Sequence, residues 1–252
     1  MSLFDQLKQH ISERQLCALA TVIQSPNGSG AKLLILPDGS ARGEIQQPLR
    51  DEVIALAQPL MRSESSQSVA MGETRVFIDV IAPPPTLVIF GGVHTAIPLS
   101  EFAKILGFYV TVVDGRAKFA DPVRFPHADQ VLHAWPQDAI PRLTFDSSTY
   151  VAVLTHDPKF DLPALKRLVG TGARYIGAMG SKKTREEHFQ RLREEGVGEE
   201  LLRSVYGPIG LDLGAVTPEE MALAIMAEIV AVRYNRDGGP LSEKTGGNRS
   251  SV

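Results

Sequence analysis

Two histidines and a carboxylate stand at the ends of apolar runs, where a rigid scaffold would hold them at its edge. His94 closes "LVIFGGVH", and His156, followed by Asp157, closes "YVAVLTH". If the two runs are neighbouring strands, these groups converge on one crevice, suited to a metal-bearing ligand or to proton transfer. The plainer reading makes His156 and Asp157 loop polar residues and Asp161 a helix N-cap before "LPAL". The glycines beside His94 invite comparison with the dinucleotide turn G-x-G-x-x-G/A. From Gly91 the chain reads Gly91-Gly92-Val93-His94-Thr95-Ala96. The first glycine and the final small residue are in place. Val93, however, stands where a glycine normally lets a pyrophosphate approach backbone N–H groups. "TVVDGR" then supplies Asp114, with Arg116 close behind, where an acid would bind a ribose. Half the signature holds, so NAD(P) is disfavoured, and Gly91 and Gly92 alternatively make only a tight strand-to-helix turn.

A third strand end, "IGAMGSKK", carries Gly180, Ser181 and Lys182. Thr184 and Glu187 have the spacing of a capping box, which predicts a helix starting there. Unpaired N–H groups at such a start, with lysines beside them, make an anion site; the alternative is a solvated basic helix start. In "GPIGLDLGAVTPEE" the helix entry is explained by Thr217 as N-cap, Pro218 after it and Glu220 three residues on. Gly207, Gly210, Asp212 and Gly214 are left over, and suit a loop folded against a ligand. Cys17 is the single cysteine. It excludes an intramolecular disulfide and a thiolate metal cluster, and within an apolar strand it reads as buried and inert.

The elements that must position these groups fall into two textures. Residues 1–82 read as a small α+β domain. It holds an amphipathic helix in "MSLFDQLKQHISERQ", a strand in "CALATVIQ" and turn chemistry in "SPNGSG". A hairpin follows around Asp38-Gly39, then a helix in "LRDEVIALAQPLM" and a strand in "TRVFIDVIA". Pro83, Pro84 and Pro85 form a stiff linker. Residues 86–235 then alternate short apolar strands with helices, which implies a Rossmann-like parallel sheet covered on both faces. Such sheets bind ligands at the carboxyl ends of their strands. Residues 236–252 are rich in Gly, Ser and charge and read as disordered. The overall class is α/β. A formal net charge of -3 gives no reason to expect nucleic acid. No apolar run reaches the roughly 20 residues of a membrane helix. A cytoplasmic protein is the natural reading, with a homodimer as the default assembly.

Four stretches together, "LVIFGGVHTAIPLSEFAKILGFYVTVVDGR", "YVAVLTHDPKFD", "RYIGAMGSKK" and "PIGLDLGAVTPEEMALAIMAEIVA", resemble the xanthine dehydrogenase accessory family of XdhC/CoxI type. "CALATVI" through "GAKLLILPDGSARGEI" is similar, more weakly, to that family's N-terminal domain. The resemblance implies a maturation factor rather than a turnover enzyme. Its cargo would be molybdenum cofactor, a pterin dithiolene phosphate carrying the metal, and its partner an apo-molybdenum hydroxylase such as xanthine dehydrogenase. It also implies help in inserting the sulfurated cofactor, which makes a cysteine desulfurase a further candidate partner. Under this resemblance Ser181 and Lys182 would hold the phosphate and the histidines would face the metal end. Two motifs depart from the family. "QQPLRDE", with Gln46 and Gln47, stands where a GGGCxE motif is usual, and only "MGE" precedes "TRVFIDV", where a second cysteine-glycine motif belongs. A role narrowed to scaffolding or delivery follows. The alternatives are an NAD(P)-dependent oxidoreductase on Gly91 and Asp114, or a non-catalytic partner docking on a hydroxylase or desulfurase.

Overall fold

The computed structural model describes residues 2–26 and 28–243. The chain divides into two compact units, Met1–Pro84 and Pro85–Val252. In the first, the elements are α1 (Leu3–Ser12), β1 (Cys17–Gln24), β2 (Lys32–Ile35), β3 (Ala41–Gly43), α2 (Leu49–Arg62), β4 (Gln67–Met71) and β5 (Thr74–Ile81). The strands form an antiparallel sheet in the order β3-β2-β1-β5-β4. Ala18, Ala20 and Val22 alternate along β1 onto the buried face, as a period of two requires. Val53, Ala57 and Met61, spaced four apart, line the face of α2 that covers them. Cys17 is fully buried at the start of β1. The strand expected at "TRVFIDVIA" is β5, and it pairs with β4, which the sequence does not announce because its half-exposed residues lack alternation.

The second unit contains β6 (Thr86–Phe90), α3 (Ala96–Ile105), β7 (Tyr109–Asp114), β8 (Gln130–His133), α4 (Pro136–Ala139), β9 (Thr149–Val153), α5 (Pro158–Leu168), β10 (Tyr175–Ala178), α6 (Lys182–Glu194), α7 (Glu199–Arg203), β11 (Val205–Tyr206) and α8 (Pro218–Arg233). Its sheet is parallel, in the order β11-β10-β9-β6-β7-β8. This is the doubly wound order of a Rossmann fold, so the expected α/β class holds. β6 and β9 are buried along nearly their whole length, because helices cover both faces. One core cluster, with Leu87, Ile89 and Tyr150, lies under α3 and α8. The other, with Val88, Val151 and Val153, lies under α5 and α6.

The tail is described as far as Glu243, with a short 3-10 turn at Leu241–Glu243. Residues 244–252 of the expected disordered tail, and Asn27 of the expected "SPNGSG" turn, lie outside the described residues. Among the described residues no helix is long and apolar enough to cross a membrane.

Candidate functional site

The chain progresses one way from β6 to β8 and the other way from β9 to β11, so the switch point lies between β6 and β9. Ligands of open α/β sheets bind at that place, beyond the carboxyl ends of the strands. Phe90 is level with Val113 on β7 and Val153 on β9, and Val153 is level with Ala178 on β10. Four strands therefore end in line. Residues 91–95, 115–120, 154–157 and 179–181 form one edge, about 14 Å long at the usual strand spacing.

The β6 turn is locked to β7. Gly91 has φ +110, and an added Cβ would lie 2.5 Å from Thr155 Cγ2. At Gly92 an added Cβ would lie 2.1 Å from the Phe119 carbonyl oxygen. The Gly92 peptide is clamped on both sides. Its N–H donates to Asp114 Oδ2 at 2.9 Å, and its carbonyl accepts from Arg124 Nη1 at 2.8 Å. Asp114 is fully buried and also accepts from Arg116 N (2.8 Å), Nε (2.9 Å) and Nη2 (2.8 Å). Burial by itself pushes its carboxyl up. The Arg116 guanidinium and the N–H groups of Arg116 and Gly92 outweigh that and hold it below the ordinary value of 3.8. The Arg116 guanidinium also stacks on Phe119 at 3.9 Å and keeps a side-chain exposure of 38%. Val93 is half-buried against the core under α3. The obstacle to a dinucleotide is thus less Val93 than Asp114, whose oxygens are taken.

His94 is exposed just before α3. His156 and Asp157, also exposed, follow the neighbouring strand β9, so the two turns are adjacent as the sequence suggests. Among the described residues no group of three His, Cys, Asp or Glu side chains is placed to hold a metal ion. The helix N-cap expected at Asp161 belongs instead to Asp157, whose side chain accepts from Lys159 N at 2.9 Å with Pro158 opening the helix. Asp161 lies one turn inside α5 and is 2% exposed. It accepts the Thr155 hydroxyl and the N–H groups of Thr155 and His156, which pins His156 in a left-handed conformation at φ +58. Burial, reinforced by the charge of Asp157, pushes the Asp161 carboxyl up to about 6 against those hydrogen bonds. Sequence reasoning passed over its burial, although its spacing of four from Asp157 puts both on one helix face.

The capping box expected at Thr184 and Glu187 does not form. Ser181 is the N-cap of α6, its hydroxyl accepting from Thr184 N at 3.1 Å, and Lys182 and Lys183 are the first helical residues. Gly180, at φ +141, turns the chain into that start. His188, on the buried face of α6, and Arg185, half-buried with its guanidinium over the Phe189 ring at 4.6 Å, are residues which the sequence reading did not select. His188 is 4% exposed, and its Nε2 and the Arg185 Nε are buried without a hydrogen-bond partner. Burial, then the Arg191 charge, holds His188 below the ordinary imidazole value, with His156 adding to the effect and Glu187 opposing it.

The capping box of α8 forms as expected, with Thr217 as N-cap and Glu220 reaching back. Gly210, at φ +99, has an ordinary structural cause. Its N–H donates to Glu228 Oε2 at 2.9 Å, which also accepts the buried Tyr175 hydroxyl. Asp212 and Gly214 are exposed beyond this anchor.

A family model of the XdhC Rossmann domain matches residues 87–229, more than half of the chain, and a model of the XdhC and CoxI family matches residues 10–72. The chain belongs to the XdhC and CoxI family. YqeB of Escherichia coli (strain K12) is 29% identical over 249 residues, covering 90% of this chain and 46% of YqeB. A probable xanthine dehydrogenase subunit of Bacillus subtilis (strain 168) is 32% identical over 160 residues, 64% of this chain and 46% of its own. The molybdenum cofactor insertion chaperone PaoD of Escherichia coli (strain K12) is 32% identical over 92 residues, 36% of this chain and 29% of PaoD. The crystal structure of a xanthine dehydrogenase from Bacillus halodurans superposes with a TM-score of 0.69 at 25% identity, covering 90% of this chain and 65% of that one. The chain thus spans under half the length of the curated relatives it matches.

Proposed function

We propose that this XdhC-family chain is a maturation factor that holds molybdenum cofactor at the carboxyl edge of its parallel sheet and assists its insertion into an apo-molybdenum hydroxylase. Membership of the family, with an insertion chaperone among the relatives, supports the role. The observation that carries the site is the level edge formed by β7, β6, β9 and β10 at the switch point. Arg116, His94, His156, Lys182 and Lys183 stand along it with donor or cationic groups, a set that suits an anionic pterin phosphate. The family's cysteine motifs are absent and Cys17 is buried, so no thiol of this chain serves the metal end. The chain then delivers cargo rather than sulfur, and a cysteine desulfurase would act beside it.

The test is to produce the protein in a cofactor-synthesising host and measure co-purified pterin as its fluorescent oxidised form. His94→Ala and Lys182→Ala should each lose pterin without a change in folding. Absence of pterin from the wild-type protein, together with no restoration of activity to an apo-hydroxylase, would overturn the reading. Titration with NAD(H) and NADP(H) separates it from the oxidoreductase alternative, which requires Asp114 to exchange Arg116 for a ribose.

A further inference from the structure

We infer that Trp135 is the stacking platform for the pterin ring of the cargo, set at the β7–β8 end of the carboxyl edge. It deepens the cargo reading, on which it rests for the identity of the ring. Asp114 and His133 are level at the ends of β7 and β8. Gly115 and Trp135 therefore follow just beyond the sheet, on the edge where ligands of such sheets bind.

The indole is anchored on several sides. The Trp135 carbonyl accepts the N–H groups of Asp138 at 2.9 Å and Ala139 at 3.0 Å, which fixes its backbone at the turn into α4. Pro136 and Ala139 are buried and root that turn. One face of the ring lies on Gly115. A Cβ added there would stand 2.6, 2.7 and 3.0 Å from Trp135 Cδ2, Cε2 and Cε3. Cδ2 and Cε2 are the fusion atoms of the two rings and have no free edge, so the approach is to the face. Gly115 is not among the glycines of positive φ, so the close seat, and not the backbone, is what calls for a glycine. His133 Nε2 donates to the Gly115 carbonyl at 3.1 Å and steadies that seat. The buried Phe160 ring lies 5.7 Å away at 48°, so it abuts the indole without stacking on it. Trp135 nevertheless keeps 41% of its surface exposed. With one face on Gly115, exposure of that size leaves the other face open.

A fixed, open indole face selects a flat partner. It loses little conformational freedom on contact and offers a wide π-surface. Pterins and purines are both flat bicyclic rings, and two observations favour the pterin. Asp114, which a purine nucleoside would need for its ribose, is taken by Gly92 and Arg116. A ring on Trp135 also directs an anionic tail along the edge toward the exposed His94 and His156.

The experiment titrates the full chain with carboxypterin and, in parallel, with guanosine monophosphate. Trp135 is the only tryptophan, so a ring stacked on it quenches the protein's indole emission. Free tryptophan titrated alongside corrects for light absorbed by the ligand. Saturable quenching by the pterin is expected, with weaker binding of the nucleotide. Equilibrium dialysis then compares variants. Trp135→Leu should weaken pterin binding about tenfold, the size of one aromatic stacking contact. Trp135→Phe, which keeps a smaller π-face, should stay within about threefold. Thermal melts check folding. If Trp135→Leu does not fold, the single indole N–H signal in the NMR spectrum of the wild-type protein decides, since a stacked ring must shift it. Absence of saturable quenching, an unshifted indole signal, equal binding by Trp135→Leu, or tighter binding of the nucleotide overturns the platform. Pterin co-purifying equally with wild type and Trp135→Leu would remove the platform and leave the cargo reading; pterin bound in titration by a protein that co-purifies none would do the reverse.

Discussion

Asp114→Asn separates a structural acid from a ligand-binding one. Oδ1 accepts Arg116 N and Nε, and Oδ2 accepts Gly92 N and Arg116 Nη2. An asparagine keeps one oxygen, so whichever way the amide turns, one backbone N–H and one guanidinium N–H face an NH2 group. A hydrogen bond to a charged group contributes about 1.5–3 kcal/mol. Arg116 is 38% exposed and regains water, which discounts its share. A net loss of about 3 kcal/mol remains, which lowers the melting temperature by about 6–12 °C for a unit of this size. The pH dependence has a definite sign. The folded carboxyl is held below its ordinary 3.8, so its stabilisation is complete above that value and disappears as pH falls through the folded one. The gap between wild type and variant should be flat above about pH 5 and narrow below about pH 4. Urea unfolding can be followed by the single tryptophan, Trp135, which lies against Gly115 and 5.7 Å from Phe160 and so reports this unit. A loss under about 1 kcal/mol at neutral pH, or a gap that persists in acid, would refute the structural role.

Asp161 should show the opposite sign. Its folded carboxyl, pushed up to about 6 by burial and Asp157, binds a proton more readily than the unfolded chain, so stability falls as pH rises from the ordinary 3.8 toward that value. Asp161→Asn should remove a slope worth about 3 kcal/mol, and parallel pH profiles of urea stability for both proteins would rule this out. Gly92→Ala should cost about 3 kcal/mol, since backbone at Phe119 blocks the Cβ and the clamp from Asp114 and Arg124 must open; an unchanged melting temperature would show that the 115–120 loop yields freely. The Cys17 thiol is pushed up to about 11 by burial, with the Asp79 charge adding to it. It should ignore a disulfide reagent at about pH 8 in the native protein and react fully in urea, and rapid native reaction would contradict the burial.

The parallel sheet was legible because buried, β-branched runs alternate with helical spacing, and the ends of those runs located the edge. β4, β8, α4 and β11 were not, being short or only half-buried, with little periodicity to read. At the site, types were more legible than roles. Pro158 marks Asp157 as the cap of α5, a signal available in the sequence. Asp161 was harder, because "LPAL" after it mimics a helix start while the true start lies a turn earlier. Thr184 and Glu187 misled for a related reason: a Thr and a Glu three apart satisfy the box pattern inside a helix as well as at its start. Asp114 stood where an acid was expected, yet its partners Gly92, Arg116 and Arg124 meet only through the folded turn. His188 and Arg185 carry no motif, and a histidine on an apolar helix face is seen to lack a partner only in three dimensions.

The direction in which each charge is used gives the edge its character. Asp114 binds the β6 turn to β7, Asp161 fixes the β9 turn, and Glu228 anchors the loop after β11 through Gly210. These acids are turned inward and saturated by the chain's own donors, which makes the turns rigid. Outward, His94, His156, Lys182 and Lys183 remain exposed beyond the strand ends. An edge whose acids are spent on its own turns, and which leaves exposed histidines and lysines outward, discriminates by charge before any detail of shape is considered. Its rigidity also means that little ordering is left to occur on binding. Asp161→Asn is informative beyond stability for this reason. Neutralising a buried acid changes no outward donor, so it should leave pterin co-purification intact as long as His156 keeps its left-handed turn. A variant that folds normally yet loses pterin would show that the acids shape the edge through that turn.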